Sequence, residues 1–177
     1  QAIVPTSVYL GLVSLSQMSS KTGRTKIIGA SASKAALKLM AYEIYESNYS
    51  AHHLEIIGIG ERGSYIAKLL IDYLREISPL QTRLTIAKKK NRGLEIGRED
   101  FGKAMQGASV LVVDDVLYSG RTLFFALEHA MQHDPERIQT AVLIDRGHRK
   151  FSVTHDFVGM SLATTLQQHV AVTIAEE

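Results

Sequence analysis

Residues 110–122 constrain this chain most, because two carboxylates directly follow a run of apolar side chains there. The segment reads VLVVDDVLYSGRT, so that Asp114 and Asp115 come at once after Val110–Val113. Four consecutive apolar residues of this kind predict a strand that is buried on both faces. Two adjacent carboxylates at its end are costly to bury unless they have a partner or a ligand. Ser119 and Gly120 then predict a turn, and Leu123–His133 is predicted to continue as a helix.

Apolar runs and helical stripes alternate along the rest of the chain. Strands are predicted at Leu54–Ile59, Leu84–Ala87 and Ile138–Ile144, with later candidates at Phe157-Val158 and Val170–Ile174. Apolar stripes at helical spacing occupy Leu37–Tyr45, for which Ser31 and Ser33 offer N-cap side chains, and Ile66–Ile77. Gly60–Gly63 predicts a turn, and the polar stretch Lys88–Gly107 predicts a long mobile loop. Strands that alternate with helices predict an α/β fold, in which a mostly parallel central sheet is flanked by helices.

The composition narrows the class of protein. The 177 residues suit a single domain, which we assign to residues 25–177, while residues 1–24 are treated as an N-terminal arm or an extension that ends near Met18. The absence of cysteine excludes disulfides, thiolate metal sites and cysteine nucleophiles, and it fits a cytoplasmic protein. A net charge of +2 does not by itself indicate nucleic-acid binding. No apolar run is long enough to span a membrane.

The end of the strand at Val110–Val113 is the predicted ligand site, since open parallel sheets bind ligands beyond the carboxyl ends of their strands. Backbone N–H groups at the start of the following helix suit a phosphate, and Gly120 allows the backbone to approach it closely. The two carboxylates beside this turn can accept hydrogen bonds from hydroxyl groups, so a sugar phosphate fits the segment. The nucleotide-binding pattern GxxxxGK[ST] is absent. Gly58–Gly63 does read GxGxxG, a weak dinucleotide signal that has no acidic residue placed to hold a ribose.

This segment resembles the phosphoribosyl-pyrophosphate motif of type I phosphoribosyltransferases. AVLIDRGHR at Ala141–Arg149 and DFVG at Asp156–Gly159 are similar to the subfamily of pyrimidine-operon regulators and uracil phosphoribosyltransferases. Leu54–Gly63 is similar to the first strand and pyrophosphate loop of that subfamily. The resemblance covers about residues 27–175 and implies the type I phosphoribosyltransferase fold, with a small hood formed by the C-terminal segment.

The resemblance also implies roles for individual residues. Asp114 and Asp115 would bind the ribose 2′- and 3′-hydroxyls. Magnesium would be held through the substrate, with Asp114 and Asp115 as its possible protein ligands. The 5′-phosphate would be held by the turn residues Tyr118, Ser119, Gly120, Arg121 and Thr122. The pyrophosphate loop would comprise Glu61, Arg62 and Gly63.

The remaining predicted site residues concern the base and the catalytic loop. The base would stack near Val116 and Leu117, beneath the hood. Lys88, in the predicted mobile loop, would help to close over pyrophosphate, and Arg146 is assigned to substrate binding or to fixing its own turn. The resemblance implies an enzyme that transfers phosphoribose from 5-phosphoribosyl-1-pyrophosphate to a nucleobase, uracil first, and that forms a homo-oligomer.

Two alternatives stay open at this stage. The chain carries Glu61 and the run Lys88-Lys-Lys-Asn-Arg92 where the subfamily usually has threonine and an aromatic-Arg-Asp-Asp run. The stretch Arg83–Lys103 holds seven basic and three acidic residues. One alternative is therefore a weakly active or inactive nucleotide sensor that binds RNA and regulates pyrimidine genes. The other is a transferase that acts on a purine base.

Overall fold

The computed structural model describes residues 8–17, 25–91, 93–96, 101–163 and 168–176. The predictions made for Met18, for Arg92 and for the first seven residues lie outside this part of the chain. In chain order, the described strands and helices are β1 (Val8–Gln17), β2 (Thr25–Gly29), α1 (Ala30–Ser47), β3 (His53–Ile59), α2 (Gly60–Ile77), β4 (Gln81–Lys90), β5 (Gly93–Ile96), α3 (Phe101–Met105), β6 (Ser109–Leu117), α4 (Arg121–Met131), β7 (Arg137–Asp145), β8 (Phe157–Ser161) and β9 (Gln168–Glu176).

A six-stranded sheet forms the centre of the fold, in the order β5-β4-β3-β6-β7-β8. The pairs from β4 to β8 are parallel, and only β5 among these strands runs antiparallel to its neighbour β4. The side chains of β6 alternate between two apolar clusters. Leu111 and Val113 pack with α1 and α2, whereas Val110 and Val112 pack with α3 and α4. The predicted α/β fold with a mostly parallel, helix-flanked sheet is thereby confirmed, because both faces of β6 are covered as its continuous apolar run requires.

A second, antiparallel sheet has the order β2-β1-β9 and joins segments from both ends of the described chain. Its strand β9 includes the predicted strand Val170–Ile174, and its Val172 is buried in the cluster that contains α1 and α2. Residues Val8–Gln17, which the sequence analysis treated as an arm or an extension, pair with both β2 and β9 in this sheet.

Three local predictions were wrong. The stretch Lys88–Gly107 is not one long loop, because β4 continues to Lys90, turns back into β5, and is followed by the short helix α3. Gly60–Gly63 is the first turn of α2 rather than a separate turn. Helix α1 begins at Ala30 after Gly29 with no side-chain cap, and Ser33 is buried within it. The local sequence of these three segments has a weak propensity for helix or strand. Tertiary packing overrides this propensity, so that the segments form helical or strand hydrogen bonds.

Within the described residues, no helix combines the length and the hydropathy that crossing a membrane requires.

Candidate active site

The carboxyl end of β6 lies against the first turn of α2. A Cβ atom added at Gly63 would come within 2.8 Å of the backbone oxygen of Val113 and 3.1 Å of the Cα of Asp114. A Cβ atom at Gly58 would come within 2.6 Å of the Cα of Ser64, whose hydroxyl donates to the oxygen of Gly58 at 3.0 Å. Glycine at positions 58 and 63 therefore lets the start of α2 approach the ends of β3 and β6 more closely than any other residue would.

Asp114 is buried at this strand end, in contact with one lysine and one backbone amide. The amide of Asp115 donates to the Oδ1 atom of Asp114 at 2.9 Å, and the Nζ atom of Lys89 lies 3.3 Å from the same oxygen. Burial raises the pKa of Asp114 from its usual value to about 7, while Lys89 opposes this rise and the neighbouring Asp115 adds to it. The carboxyl group therefore changes its charge close to neutral pH.

Asp115 faces the other basic group of the site. The Nη1 atom of Arg62 lies 3.8 Å from the Oδ2 atom of Asp115, which is buried whereas Arg62 is half exposed. Arg62 stands in the first turn of α2 between the exposed Glu61 and the buried Gly63. Gly60 begins the helix with a φ of +63°, a conformation that favours glycine. The predicted loop residues Glu61, Arg62 and Gly63 are thus brought to the same strand end as Asp114 and Asp115.

The turn between β6 and α4 is built around Gly120, which has a φ of +81° at the N-cap of α4. The hydroxyl of Ser119 accepts a hydrogen bond from the amide of Arg121 at 3.3 Å. A cavity of about 170 Å³ opens beside this turn. Its lining comprises Lys89, Asp114, Val116, Leu117, Tyr118, Ser119, Gly120, Thr122, Leu123 and Val142. The backbone amides at the start of α4 and the Asp114 carboxylate therefore border one space that can take an anion and hydroxyl groups together.

The segment that follows β7 holds this turn in place. The amides of Lys150 and Phe151 donate to the oxygen of Ser119 at 3.0 and 3.1 Å, and the amide of Arg146 donates to the oxygen of Leu117 at 3.0 Å. The guanidinium carbon of Arg146, a buried residue, lies 4.3 Å from the ring centre of Tyr118. Arg146 thus supports the turn from the side and does not line the cavity.

Asp145, at the end of β7, organises this supporting segment. Its carboxylate accepts hydrogen bonds from the amide of Gly147 at 2.9 Å and from the Nη2 atom of Arg149 at 2.6 Å. The Nε2 atom of His155 lies 3.1 Å from the same carboxylate. The sequence places Asp145 at the end of an apolar strand, and the structure sets this strand beside β6, where Leu117 pairs with Asp145 in the sheet register.

The structure places Lys88 differently from the sequence-based prediction. Lys88 lies in a strand rather than in a mobile loop, and Lys89 rather than Lys88 lines the cavity. Arg121 places its guanidinium 5.5 Å from the ring centre of Phe125 on α4, and it is not among the lining residues. The catalytic role of Lys88 stays a prediction, and strand alternation was the signal that could have singled out Lys89.

In the part of the chain that the structure describes, no group of three or more histidine, aspartate or glutamate side chains could hold a metal ion. A metal at this strand end would have the two neighbouring carboxylates of Asp114 and Asp115 beside it. Asp114 and Asp115 are the fitting protein donors, because carboxylate oxygens suit magnesium.

A family model described as the phosphoribosyl transferase domain matches residues 25–176, and the chain belongs to this family. Its curated relatives include the protein named Bifunctional protein PyrR of Ligilactobacillus salivarius (strain UCC118). That relative is 34% identical over 163 residues, which cover 85% of this chain and 92% of the relative. The protein of the same name from Geobacter sulfurreducens is 35% identical over 158 residues, which cover 84% of this chain and 89% of the relative.

Solved structures show the same fold at lower sequence identity. A hypoxanthine-guanine phosphoribosyltransferase from Bacillus anthracis matches with a TM-score of 0.66 and 22% identity, over 77% of this chain and 80% of that one. The hypoxanthine phosphoribosyltransferase of Trypanosoma cruzi matches with a TM-score of 0.67 and 16% identity, over 75% and 78%. These structures show the fold, while the family model and the relatives of 34 and 35% identity make the chain a phosphoribosyltransferase of the pyrimidine-regulator-like kind, as its sequence motifs indicated.

Proposed function

We propose that the cavity at the end of β6 binds 5-phosphoribosyl-1-pyrophosphate, and that the chain transfers its phosphoribosyl group to uracil with release of pyrophosphate. The observation that carries this proposal is a single cavity bordered by buried Asp114 and by the glycine-initiated start of helix α4, with buried Asp115 next to Asp114 in the chain. The identity with proteins named Bifunctional protein PyrR supports a pyrimidine base, together with the subfamily motifs at Ala141–Arg149 and Asp156–Gly159.

Each side of the cavity has one task in this reaction. Asp114 and Asp115 accept hydrogen bonds from the ribose hydroxyls, and the amides at the start of α4, with the hydroxyls of Ser119 and Thr122, hold the 5′-phosphate. Arg62 and the amides of the first turn of α2 neutralise the leaving pyrophosphate. Positive charge develops at the anomeric carbon as pyrophosphate departs with the electron pair of the C–O bond. A ring nitrogen of the base then forms the new C–N bond and gives up its proton to water or to a pyrophosphate oxygen. Rate enhancement then comes from alignment and charge neutralisation rather than from a side-chain nucleophile.

Magnesium is the cofactor we propose, and Asp114 and Asp115 are the protein groups that would hold it together with the substrate. When bound, it neutralises leaving-group charge. A hard cation with a preference for oxygen ligands suits this pair of carboxylates.

Base-dependent release of pyrophosphate tests the proposal. Uracil, hypoxanthine, guanine, adenine and orotate would be supplied separately with 5-phosphoribosyl-1-pyrophosphate and magnesium. We expect release with uracil, and its loss in the Asp114→Asn/Asp115→Asn double variant. Asp72→Asn, which changes an exposed aspartate on α2, is the matched control and should remain active. Faster release with hypoxanthine or guanine than with uracil would replace the pyrimidine assignment by the purine alternative.

A second candidate function is that of a nucleotide-sensing regulator that binds RNA. The exposed carboxylate of Glu61 in the first turn of α2 favours it, because a negative charge beside pyrophosphate opposes its binding. The exposed lysines of β4 offer contacts for phosphate groups. Filter binding of a uridine-rich leader RNA, with and without UMP, would test this function. Absence of RNA affinity at low salt would eliminate it.

We also propose that the chain acts in the cytoplasm as a homo-oligomer. The family resemblance supports both points, and the absence of cysteine fits a reducing compartment. Leu39 and Tyr42, two large exposed apolar side chains on α1, are the first candidates for a subunit contact. Sedimentation of the wild-type protein and of Leu39→Glu/Tyr42→Glu would check the oligomer and this surface together.

A further inference from the structure

Two histidines lie four residues apart at the carboxyl end of α4, whereas the candidate active site lies at the start of this helix. His129 stands in the last turn of α4, and His133 follows two residues after the helix ends. The amide of His133 still donates to the oxygen of Ala130 at 3.1 Å, so the backbone continues to turn. Side chains at this spacing lie on the same face of a helix. Neither histidine lines the cavity at the end of β6.

The distance between the two imidazole rings suits a shared metal ion. Their ring centres lie 5.5 Å apart. With a metal–nitrogen distance of about 2.1 Å and a nitrogen–metal–nitrogen angle of roughly 90° to 110°, the centres of two ligating rings lie roughly 4.5 to 5.5 Å apart. The observed separation is at the upper end of this range, so a small change of side-chain torsion is sufficient for both rings to reach one ion.

Helix α3 supports both rings and leaves nitrogen atoms available. The ring centre of Phe101 lies 5.4 Å from that of His129 and 5.2 Å from that of His133. The Nδ1 edge of His133 faces Gly102, where an added Cβ atom would come within 3.0 Å of Nδ1, so Nε2 lies on the farther side of the ring. Within the residues that the structure describes, neither imidazole makes a hydrogen bond or an ion pair. Both side chains are partly exposed, so an ion can reach them.

The electrostatic surroundings favour a bound cation over a bound proton. Burial lowers the pKa of His129, the nearby His133 lowers it further, and Glu128 opposes these two effects. A neutral imidazole has a nitrogen lone pair to offer a metal. The carboxyl end of a helix also carries a partial negative charge, which attracts a cation.

The donor type decides which ion fits this pair. Imidazole nitrogen suits zinc, nickel and copper, whereas magnesium prefers oxygen ligands such as those of Asp114 and Asp115. Among the described residues, no third histidine, aspartate or glutamate completes the set, so water would take the remaining coordination positions. Space for it exists on the His129 side, in a cavity of about 210 Å³ that is also lined by Phe125, Glu128 and Gln132.

We propose that His129 and His133 form a two-histidine site for a divalent transition-metal ion, with Zn²⁺ as the first candidate. The ion joins the last turn of α4 to the residue that follows the helix. Because water completes the coordination, the site is an open one from which the ion can exchange, unlike a structural zinc site with four protein ligands. The inference is independent of the proposed function, since it uses no residue of the candidate active site.

Calorimetric titration of the whole protein with zinc chloride tests the site. The buffer would contain excess magnesium, which occupies carboxylate sites but competes weakly for imidazole. Wild type, His129→Gln, His133→Gln and His52→Gln would be compared at about pH 7.5, where an ordinary histidine is mostly neutral. His52→Gln is the matched control, because it removes an exposed histidine next to another one, His53, at the start of β3. Circular dichroism would verify that all four proteins are folded.

We expect His129→Gln and His133→Gln each to weaken zinc binding about 10-fold or more, since even changes beside the ligands of a metal cost about 10- to 100-fold in affinity. His52→Gln should bind zinc like the wild type. Zinc should also raise the Tm of the wild type more than that of either α4 variant, because the ion binds the folded state. Absence of zinc binding to the wild type, equal affinity in the α4 variants, or an equal loss in His52→Gln would overturn the inference.

Discussion

The turn from β6 to α4 and the hairpin of β4 and β5 border the same cavity, but they differ in burial and in their position in the sheet. Strand β6 is central and buried on both faces, and three backbone hydrogen bonds from residues 146–151 fix the turn that follows it. The hairpin lies at the edge of the sheet, with alternating exposure along β4, and reaches the site through the side chain of Lys89. Geometry is therefore built into the β6 side, while the hairpin contributes the half-exposed charge of Lys89.

The largest expected effect concerns the buried carboxyl of Asp114. Burial raises its folded-state pKa to about 7, above the unfolded value of 3.8. Between these two values of pH, the folded protein therefore keeps a proton on Asp114 that the unfolded chain has released. The corresponding stabilisation is complete below the unfolded pKa and is lost as pH rises through the folded pKa. Relative to Asp114→Asn, the unfolding free energy of the wild type should fall by roughly 2 to 4 kcal/mol between about pH 4 and pH 8. Urea denaturation across this range measures the fall in unfolding free energy. If the unfolding free energies of the wild type and of Asp114→Asn changed with pH in the same way, Asp114 would be less buried than the structure shows.

The next largest effect is expected for Gly63→Ala, which places a methyl group between the first turn of α2 and the end of β6. In Gly63→Ala the new Cβ atom meets the backbone oxygen of Val113 at 2.8 Å, and backbone cannot move aside cheaply. We expect a loss of about 1 to 3 kcal/mol in stability from overpacking. Displacement of Arg62 relative to Asp115 should lower kcat/KM by about 100-fold.

Gly102→Ala is the control for that variant, because the atoms within 4 Å of its Cβ belong to the side chain of His133. Denaturation and pyrophosphate release would be measured on both proteins. Equal behaviour of the two variants would contradict a tight contact between α2 and β6.

Gly120→Ala tests the turn itself and should have a smaller effect. Its φ of +81° lies in the left-handed region, which costs other residues about 1 to 2 kcal/mol. The added Cβ atom would also lie 3.2 Å from the oxygen of Phe151. We expect the KM for 5-phosphoribosyl-1-pyrophosphate to rise about 10-fold with a smaller change in kcat, since in the proposed function the turn would bind the phosphate in the ground state and in the transition state alike. A fall in kcat at constant KM would assign the turn another role.

The smallest effect is expected for the ion pair on the outer side of the hairpin. Lys90 and Glu95 are both more than half exposed, and solvent and salt screen such pairs. Glu95→Gln should leave the urea midpoint and the affinity for 5-phosphoribosyl-1-pyrophosphate unchanged. A clear loss of either would mean that the hairpin is held by charge rather than by its backbone pairing with β4.

The two regions also differ in how much of them could be predicted. The β6 side was predicted closely, because strand, carboxylates, glycine turn and helix follow one another within thirteen residues. The hairpin from Lys88 onward was predicted as a loop, since this part contains three lysines and a glutamate, residues of low strand propensity. Its strands form because β4 pairs with β3 over seven residues, and β5 then completes the edge.

The sequence by itself determined the α/β class and the family, and it predicted Asp114, Asp115 and Gly120 as the centre of the candidate site. Those features are local, since periodicity and turn chemistry depend on neighbours along the chain. Only the tertiary structure decided that Lys89 rather than Lys88 faces the cavity, that Asp145 secures the turn through residues 146–151, and that Val8–Gln17 pairs with β9. These contacts join residues that are far apart in sequence, and their partners are set by sheet register and strand order, which a local pattern does not encode.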